Sequence, residues 1–153
     1  MSMTKLSVYI SYLLRHQPES IGIAMDNHGW VSVTDLIEKI NAAVAETNGC
    51  LVCVEKGETL RRSISYKVRW VGVEQFDIAG YENFYGFIAG MLAGNYDIKE
   101  IFIDGILKIG GADFDALGAM FAKLEKLTGN DTVVTFTVSA NNDELPESVT
   151  KYL

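Results

Sequence analysis

Cys50-Leu-Val-Cys53 is the first grouping in this sequence with residue types and a spacing suited to chemistry. Two thiols three positions apart can form a redox pair or supply half of a tetrahedral zinc site. A redox pair is normally placed at a helix N-terminus, where the thiol pKa is lowered, and zinc needs a second pair of ligands. Here the cysteines sit in a short, nearly continuous apolar run ending at Val54, the pattern of a strand buried on both faces. Positions three apart on a strand face opposite sides, so Cys50 and Cys53 are expected to be buried structural residues, and no metal site is expected. The next grouping is basic: Lys56, Arg61, Arg62, Lys67 and Arg69 stand against Glu55 and Glu58. Such a patch can grip a phosphate or an acidic partner, although a solvated loop of ordinary charges has the same composition. Tyr81, Phe84, Tyr85 and Phe87 have rings that could stack on bases, but their helical spacing assigns them to a core. Ile101-Phe-Ile-Asp104 is an apolar strand ending in a carboxylate, a group able to hold Mg²⁺ where a phosphate cradle accompanies it. That cradle would be G-x-x-x-x-G-K-[ST], and the sequence has none: no Lys-Ser or Lys-Thr follows Gly110-Gly111, and Lys56-Gly57 follows the wrong pattern.

These residues need elements to position them. Leu6, Tyr9, Ile10, Leu13 and Leu14 recur at helical spacing and predict a helix over 4–16, ended by Pro18 and Gly22. Ile21 to Met25 and Trp30 to Val33 flank Asp26-Asn27-His28-Gly29, which predicts a hairpin with a solvated His28 in its turn. Thr34 is placed to cap a second helix with Leu36, Ile37, Ile40, Ala43 and Val44 on its buried side. Helix, hairpin and helix together suggest a winged-helix-like lobe over 1–47. Beyond Asn48-Gly49, strands are expected at Cys50–Val54, Ser65–Val73, Ile101–Asp104 and Thr132–Ser139. Helices are expected at Tyr81–Leu92, Asp113–Leu127 and Glu144–Tyr152. The alternation predicts an α/β region over 48–153 with a parallel, helix-covered sheet.

The chain has 153 residues, 48% of them hydrophobic, enough for one domain or two very small ones sharing a boundary. Its net charge of −7 is uneven, with thirteen acids and five bases from residue 71 onward. That balance disfavours broad, sequence-independent nucleic-acid binding. The sequence contains no run of about 18 apolar residues, and its start lacks the apolar stretch and small-residue cleavage site of a signal peptide. With two cysteines only, the expectation is a soluble cytoplasmic protein without a disulfide framework.

Leu6-Ser7, Tyr12-Leu-Leu-Arg-His16, Pro18-Glu19, Ile21-Gly22-Ile23, Asp26, Gly29-Trp30-Val31 and Asp35-Leu36-Ile37 together resemble the RNA 2′-phosphotransferase family. The resemblance covers residues 4–41. It implies removal of a splice-junction 2′-phosphate from RNA with transfer to NAD, and it makes Arg15 and His16 the pair that contacts phosphate. Guanidinium binds phosphate oxygens bidentately and imidazole can donate to another, so the pair suits that role; a helix C-terminus also favours cations without any ligand. The family's second lobe holds NAD and opens on an Arg-Ala-Asn-Gln-Gly-His-Ser-like segment, and nothing from 42 to 153 resembles it.

Residues 36–153 resemble small bacterial P-loop ATPase-like proteins related to the twitching-motility ATPase. The carrying residues are Val52-Cys-Val-Glu-Lys-Gly57, Ile64 to Arg69, Tyr85 to Gly90, Ala93 to Asp97, Ile101 to Gly105, Thr137 to Ala140 and Glu144-Leu-Pro146. This second resemblance implies a P-loop-like sheet in which Asp104 would hold Mg²⁺ and Ser139 would sense the terminal phosphate of ATP. The two resemblances overlap on one helix, about Thr34 to Ala45, and each half lacks the part of its family that does the chemistry. The leading expectation is therefore a non-catalytic binding or regulatory module that binds a protein or self-associates and needs no cofactor. The alternative is an enzyme, either a phosphotransferase using Arg15, His16 and NAD or an ATPase using Asp104, Ser139 and ATP–Mg²⁺. A small acidic inhibitor or antitoxin-like protein is a third. The P-loop resemblance also predicts that a deleted strand leaves a vacant place inside the sheet, to be filled by Trp30–Val33.

Overall fold

A computed structural model describes residues 33–152 of the chain. The helix expected at residues 4–16, the hairpin, His28, and the pair Arg15 and His16 lie outside the described residues. The first described element is α1 (Val33–Glu46), which begins one residue before the expected cap, so Thr34 sits exposed in its first turn. Its apolar positions are three and four apart, and that spacing turns Leu36, Ile37, Ile40, Ala43 and Val44 toward one face of a sheet.

The sheet has four strands: β1 (Cys50–Glu55), β2 (Val68–Gly72), β3 (Ile98–Asp104) and β4 (Val133–Phe136). They lie in the order β2-β1-β3-β4, and every pairing is parallel. Near-continuous apolar runs such as Leu51–Val54 and Ile101–Ile103 suit this arrangement, because strands covered on both faces have no solvent side to leave polar. Val52, Val54, Ile101, Ile103, Val134 and Phe136 pack on one face beneath α2 (Tyr81–Gly94) and α4 (Phe114–Thr128). Leu51, Cys53, Val68 and Phe102 pack on the other face with Ile40 of α1 and Leu60. Two short helices, α3 (Ile106–Gly110) and α5 (Glu147–Thr150), close the first face.

Three expectations need correction. First, β3 pairs directly with β4, Phe102 opposite Thr135 and Ile103 opposite Phe136, so no interior place stands vacant. Val33 begins α1 rather than ending a strand, and 30–32 lie outside the described residues. Second, β1 and β2 are connected without a helix. Residues 56–67 cross as a loop on the α1 side of the sheet, with Leu60 buried and Ile64 partly buried against it. A parallel pair needs a crossover of about a dozen residues, and this loop supplies the length without the helix. Third, the strand ends were drawn too generously: β2 starts at Val68 and β4 stops at Phe136. Among the described residues no helix is long and apolar enough to cross a membrane.

Candidate functional site

In open parallel sheets ligands gather beyond the carboxyl ends of the strands, so the residues that follow β1 and β3 come first. Glu55 ends β1 and is only 2% exposed. Its carboxyl group accepts from Thr59 N at 3.0 Å, Leu60 N at 2.9 Å and Trp70 Nε1 at 2.7 Å. Opposite it in register stands Asp104, half-buried, whose Oδ1 accepts the Thr137 hydroxyl at 2.7 Å. That hydroxyl oxygen in turn accepts Gly105 N at 2.6 Å, and Ile106 N donates to the Thr137 carbonyl at 3.2 Å.

A phosphate cradle needs free backbone N–H groups converging at such a turn. After β1 the amides of Thr59 and Leu60 are spent on Glu55, and after β3 the amides of Gly105 and Ile106 are spent on Thr137. The cleft between α1 and these strand ends is lined by Leu36, Ile40, Phe102, Asp104, Thr135 and Thr137, among others. Its volume of about 10 Å³ is space for roughly one water molecule. Thr135 Oγ1 is buried beside it without a hydrogen-bond partner among the described residues. The amides of Thr59, Leu60, Gly105 and Ile106 are therefore not open to the phosphates of ATP or the pyrophosphate of NAD. Ser139 does not join Asp104: it lies three residues past the end of β4 and is exposed, and Thr137 takes the place beside the acid.

The thiols behave as their strand placement dictates. Cys50 packs on the α2 side and Cys53 on the α1 side, so they do not converge. Burial, then the nearby Glu55 and Asp104, push the Cys53 thiol up to about 12. Among the described residues no group of three or more His, Cys, Asp and Glu could hold a metal ion. Tyr81 and Phe84 are core residues, with Tyr85 and Phe87 partly buried against the same cluster, as their spacing predicts.

The basic grouping forms a held loop. Asn41 of α1 donates Nδ2 to the Ser63 carbonyl at 3.2 Å and accepts Ser65 N on Oδ1 at 2.5 Å. The Leu60 carbonyl accepts Ser63 N and Ile64 N, and Val68 N closes on the Ser65 carbonyl. Arg61 is already engaged, 3.1 Å from Glu58 and stacked 4.9 Å over the Trp70 ring. Lys56, Arg62, Lys67 and Arg69 are exposed, and Tyr66 is 92% exposed. The roles of Asn41 and Thr137 escape sequence reasoning because their partners lie more than twenty positions away, and that of Glu55 because no local pattern marks a carboxylate that gathers the amides of its own loop and the Trp70 indole.

The family model described as RNA 2′-phosphotransferase, Tpt1 / KptA family, matches residues 1–69. A probable RNA 2′-phosphotransferase of Agrobacterium fabrum is 52% identical over 40 residues, which are 26% of this chain and 22% of the relative. One from Pectobacterium atrosepticum is 56% identical over 34 residues, 22% of this chain and 19% of the relative. One from Pseudomonas syringae pv. tomato is 31% identical over 86 residues, 48% of this chain and 46% of the relative. The chain thus spans about a fifth of the first two relatives and under half of the third. No solved structure matches the chain. The likeness of 36–153 to P-loop ATPase-like proteins gains no support from these comparisons. The matches overturn the expectation of a non-catalytic binding or regulatory module. The family and the relatives bear the name of an enzyme, which was the alternative.

Proposed function

We propose that this chain works on RNA 2′-phosphates as an RNA 2′-phosphotransferase-like enzyme, with Arg15 and His16 as the pair that contacts the phosphate. The observation that carries this reading is the family match over residues 1–69, which takes in both residues and runs on through α1, β1 and the basic loop. A guanidinium beside an imidazole can hold a dianionic phosphate through paired N–H donors while the imidazole moves a proton at a phosphate oxygen. In this reading 1–47 is a winged-helix-like lobe and 48–153 an α/β region whose β1 and β3 ends keep their amides for the protein itself. A P-loop-like origin of that sheet is supported by Asp104 at the end of a buried parallel strand. NAD is the acceptor that the resemblance implies. Because the four amides named above are engaged within the protein, no step through NAD is assigned to residues 33–152.

The test is direct. Purified chain is incubated with an RNA carrying one internal 2′-phosphate, with and without NAD, and loss of the phosphate is followed on a gel. The expected result is NAD-dependent loss that falls at least about a hundredfold in Arg15→Ala, the scale of losing one charged contact to a reacting group. No loss of the 2′-phosphate in either condition overturns the reading.

A further inference from the structure

We propose that the loop 56–67 forms a surface that binds single-stranded RNA, with Arg62 and Lys67 on phosphates and Tyr66 stacked on a base. The inference rests on the proposed function for the choice of RNA, and on the loop itself for the contact.

Four features carry it. The cations are free to act: Arg61 is engaged by Glu58 and Trp70, whereas Arg62 and Lys67 are exposed and make no ion pair among the described residues. Tyr66 stands in the middle of them with 92% of its surface in water, a flat ring offered beside positive charge. That is the combination by which single strands are held without sequence preference: cations track the backbone and an aromatic face takes a base. An acidic polypeptide would use the cations and leave the ring idle.

The loop is also built to keep its shape. Glu55 fixes Thr59 and Leu60 at its start, and Asn41 fixes Ser63 and Ser65 at its end. Leu60 is anchored in the core beneath. A surface that is already ordered loses less entropy on binding than a free loop would. Finally, the charge is local. The loop 56–67 holds four bases and one acid, whereas from residue 71 onward thirteen acids stand against five bases, so the positive charge that attracts phosphates is concentrated in this loop.

The experiment uses the full chain and a fluorescein-labelled short single-stranded RNA, with and without an internal 2′-phosphate. Anisotropy is read between about 50 and 200 mM salt. Arg62→Ala with Lys67→Ala should weaken binding about tenfold or more at low salt and lower the slope of log affinity against log salt by about 1.4, two single-strand phosphates at about 0.7 each. Tyr66→Ala should weaken binding about fivefold or more with the salt slope unchanged. All three side chains are exposed, and unchanged circular dichroism and Tm confirm that the variants fold. Phosphate loss from the same RNA is measured in parallel. RNA binding without any phosphate loss sinks the proposed reaction and leaves this surface standing. Phosphate loss with an RNA KM unchanged in the double variant overturns the surface and leaves the reaction. The surface is also overturned if the unaltered chain does not bind RNA, if the variants bind as tightly as it does, or if a labelled polyglutamate peptide binds as tightly as the RNA.

Discussion

Trp70 donates its indole Nε1–H to Glu55 Oε1 at 2.7 Å, and through that bond the second strand of the sheet helps hold the loop that leads into it. The indole ring passes so close to Gly72 that a Cβ there would lie 2.5 Å from it, and Arg61 covers the ring at 4.9 Å. The carboxyl group receives three donors, and one of them, Leu60 N, is buried. Glu55→Ala leaves all three without an acceptor. The buried donor left unpaired costs about 1–3 kcal/mol and the two part-buried donors, which water can reach, add less, so a loss of roughly 2–4 kcal/mol is expected. Trp70→Phe removes a single donor, and the expected loss is about 1 kcal/mol. Urea denaturation measures both, and a cost below about 1 kcal/mol for Glu55→Ala would show that the loop is held by something else.

Cys53 should be inert in the folded protein. Its thiol is pushed up to about 12, first by burial, so at about pH 8 only around one part in ten thousand is thiolate. Cys50 is half-buried on the other side of the strand. Iodoacetamide at that pH is expected to modify Cys50 first and Cys53 only under denaturing conditions, as peptide mass mapping would show. Equal labelling of the two in the folded protein would contradict the strand placement.

That strand placement was legible in the sequence because it depends on local pattern alone. Leu51–Val54 is apolar at every position, and Tyr81, Phe84 and Ile88 repeat at helical spacing, so β1 and α2 follow without tertiary information. The loop after β1 was not legible. Its shape depends on Asn41 meeting Ser63 and Ser65 across more than twenty residues, and on Glu55 folding its amides around itself. Asp104 was correctly placed at a strand end, but the residue beside it is Thr137, whereas the P-loop resemblance singles out Ser139 to act with it on a nucleotide. Side chains alternate along β4, so Thr135 and Thr137 face the α1 side with Asp104, and the strand ends before Ser139 is reached.

Glu100 gives the sheet a pH dependence of known sign. It lies on β3 next to the end of α1, where Thr47 Oγ1 donates to Oε2 at 3.5 Å. Burial raises its pKa, the Thr47 hydrogen bond lowers it, and Glu46 raises it further. The folded state therefore binds this proton more tightly than the unfolded chain does. Folding takes up a proton, and the Glu100 contribution to stability falls as pH rises through the interval from the unfolded value to the raised folded one. Below that interval both states are protonated and the penalty disappears. Glu100→Gln should raise Tm by a few degrees at neutral pH and by nothing below about pH 4. Thermal melts across that range check it, and a gain that persists at low pH would assign the effect to packing rather than to charge.

Tyr81 and Gly110 test how tightly the α2 side is packed. The Tyr81 hydroxyl donates to the Gly111 carbonyl, and its ring lies against Gly110, where an added Cβ would come within 2.1 Å of it. The ring is 6% exposed, and burial followed by the charge of Asp113 pushes its phenol up to about 12. A flexible side chain could swing aside, but this ring is fixed at its far end by the hydroxyl and surrounded by core. Gly110→Ala must therefore shift α3 away from α2, at the cost usual for overpacking, about 1–3 kcal/mol. Tyr81→Leu alone should also destabilise, because it leaves space in the core and removes the hydrogen bond to the Gly111 carbonyl. The double variant has room for the alanine, so its loss should be smaller than the sum of the two by about 1 kcal/mol or more. Urea denaturation of the four proteins closes the cycle, and strict additivity would mean that Gly110 is not small on account of Tyr81.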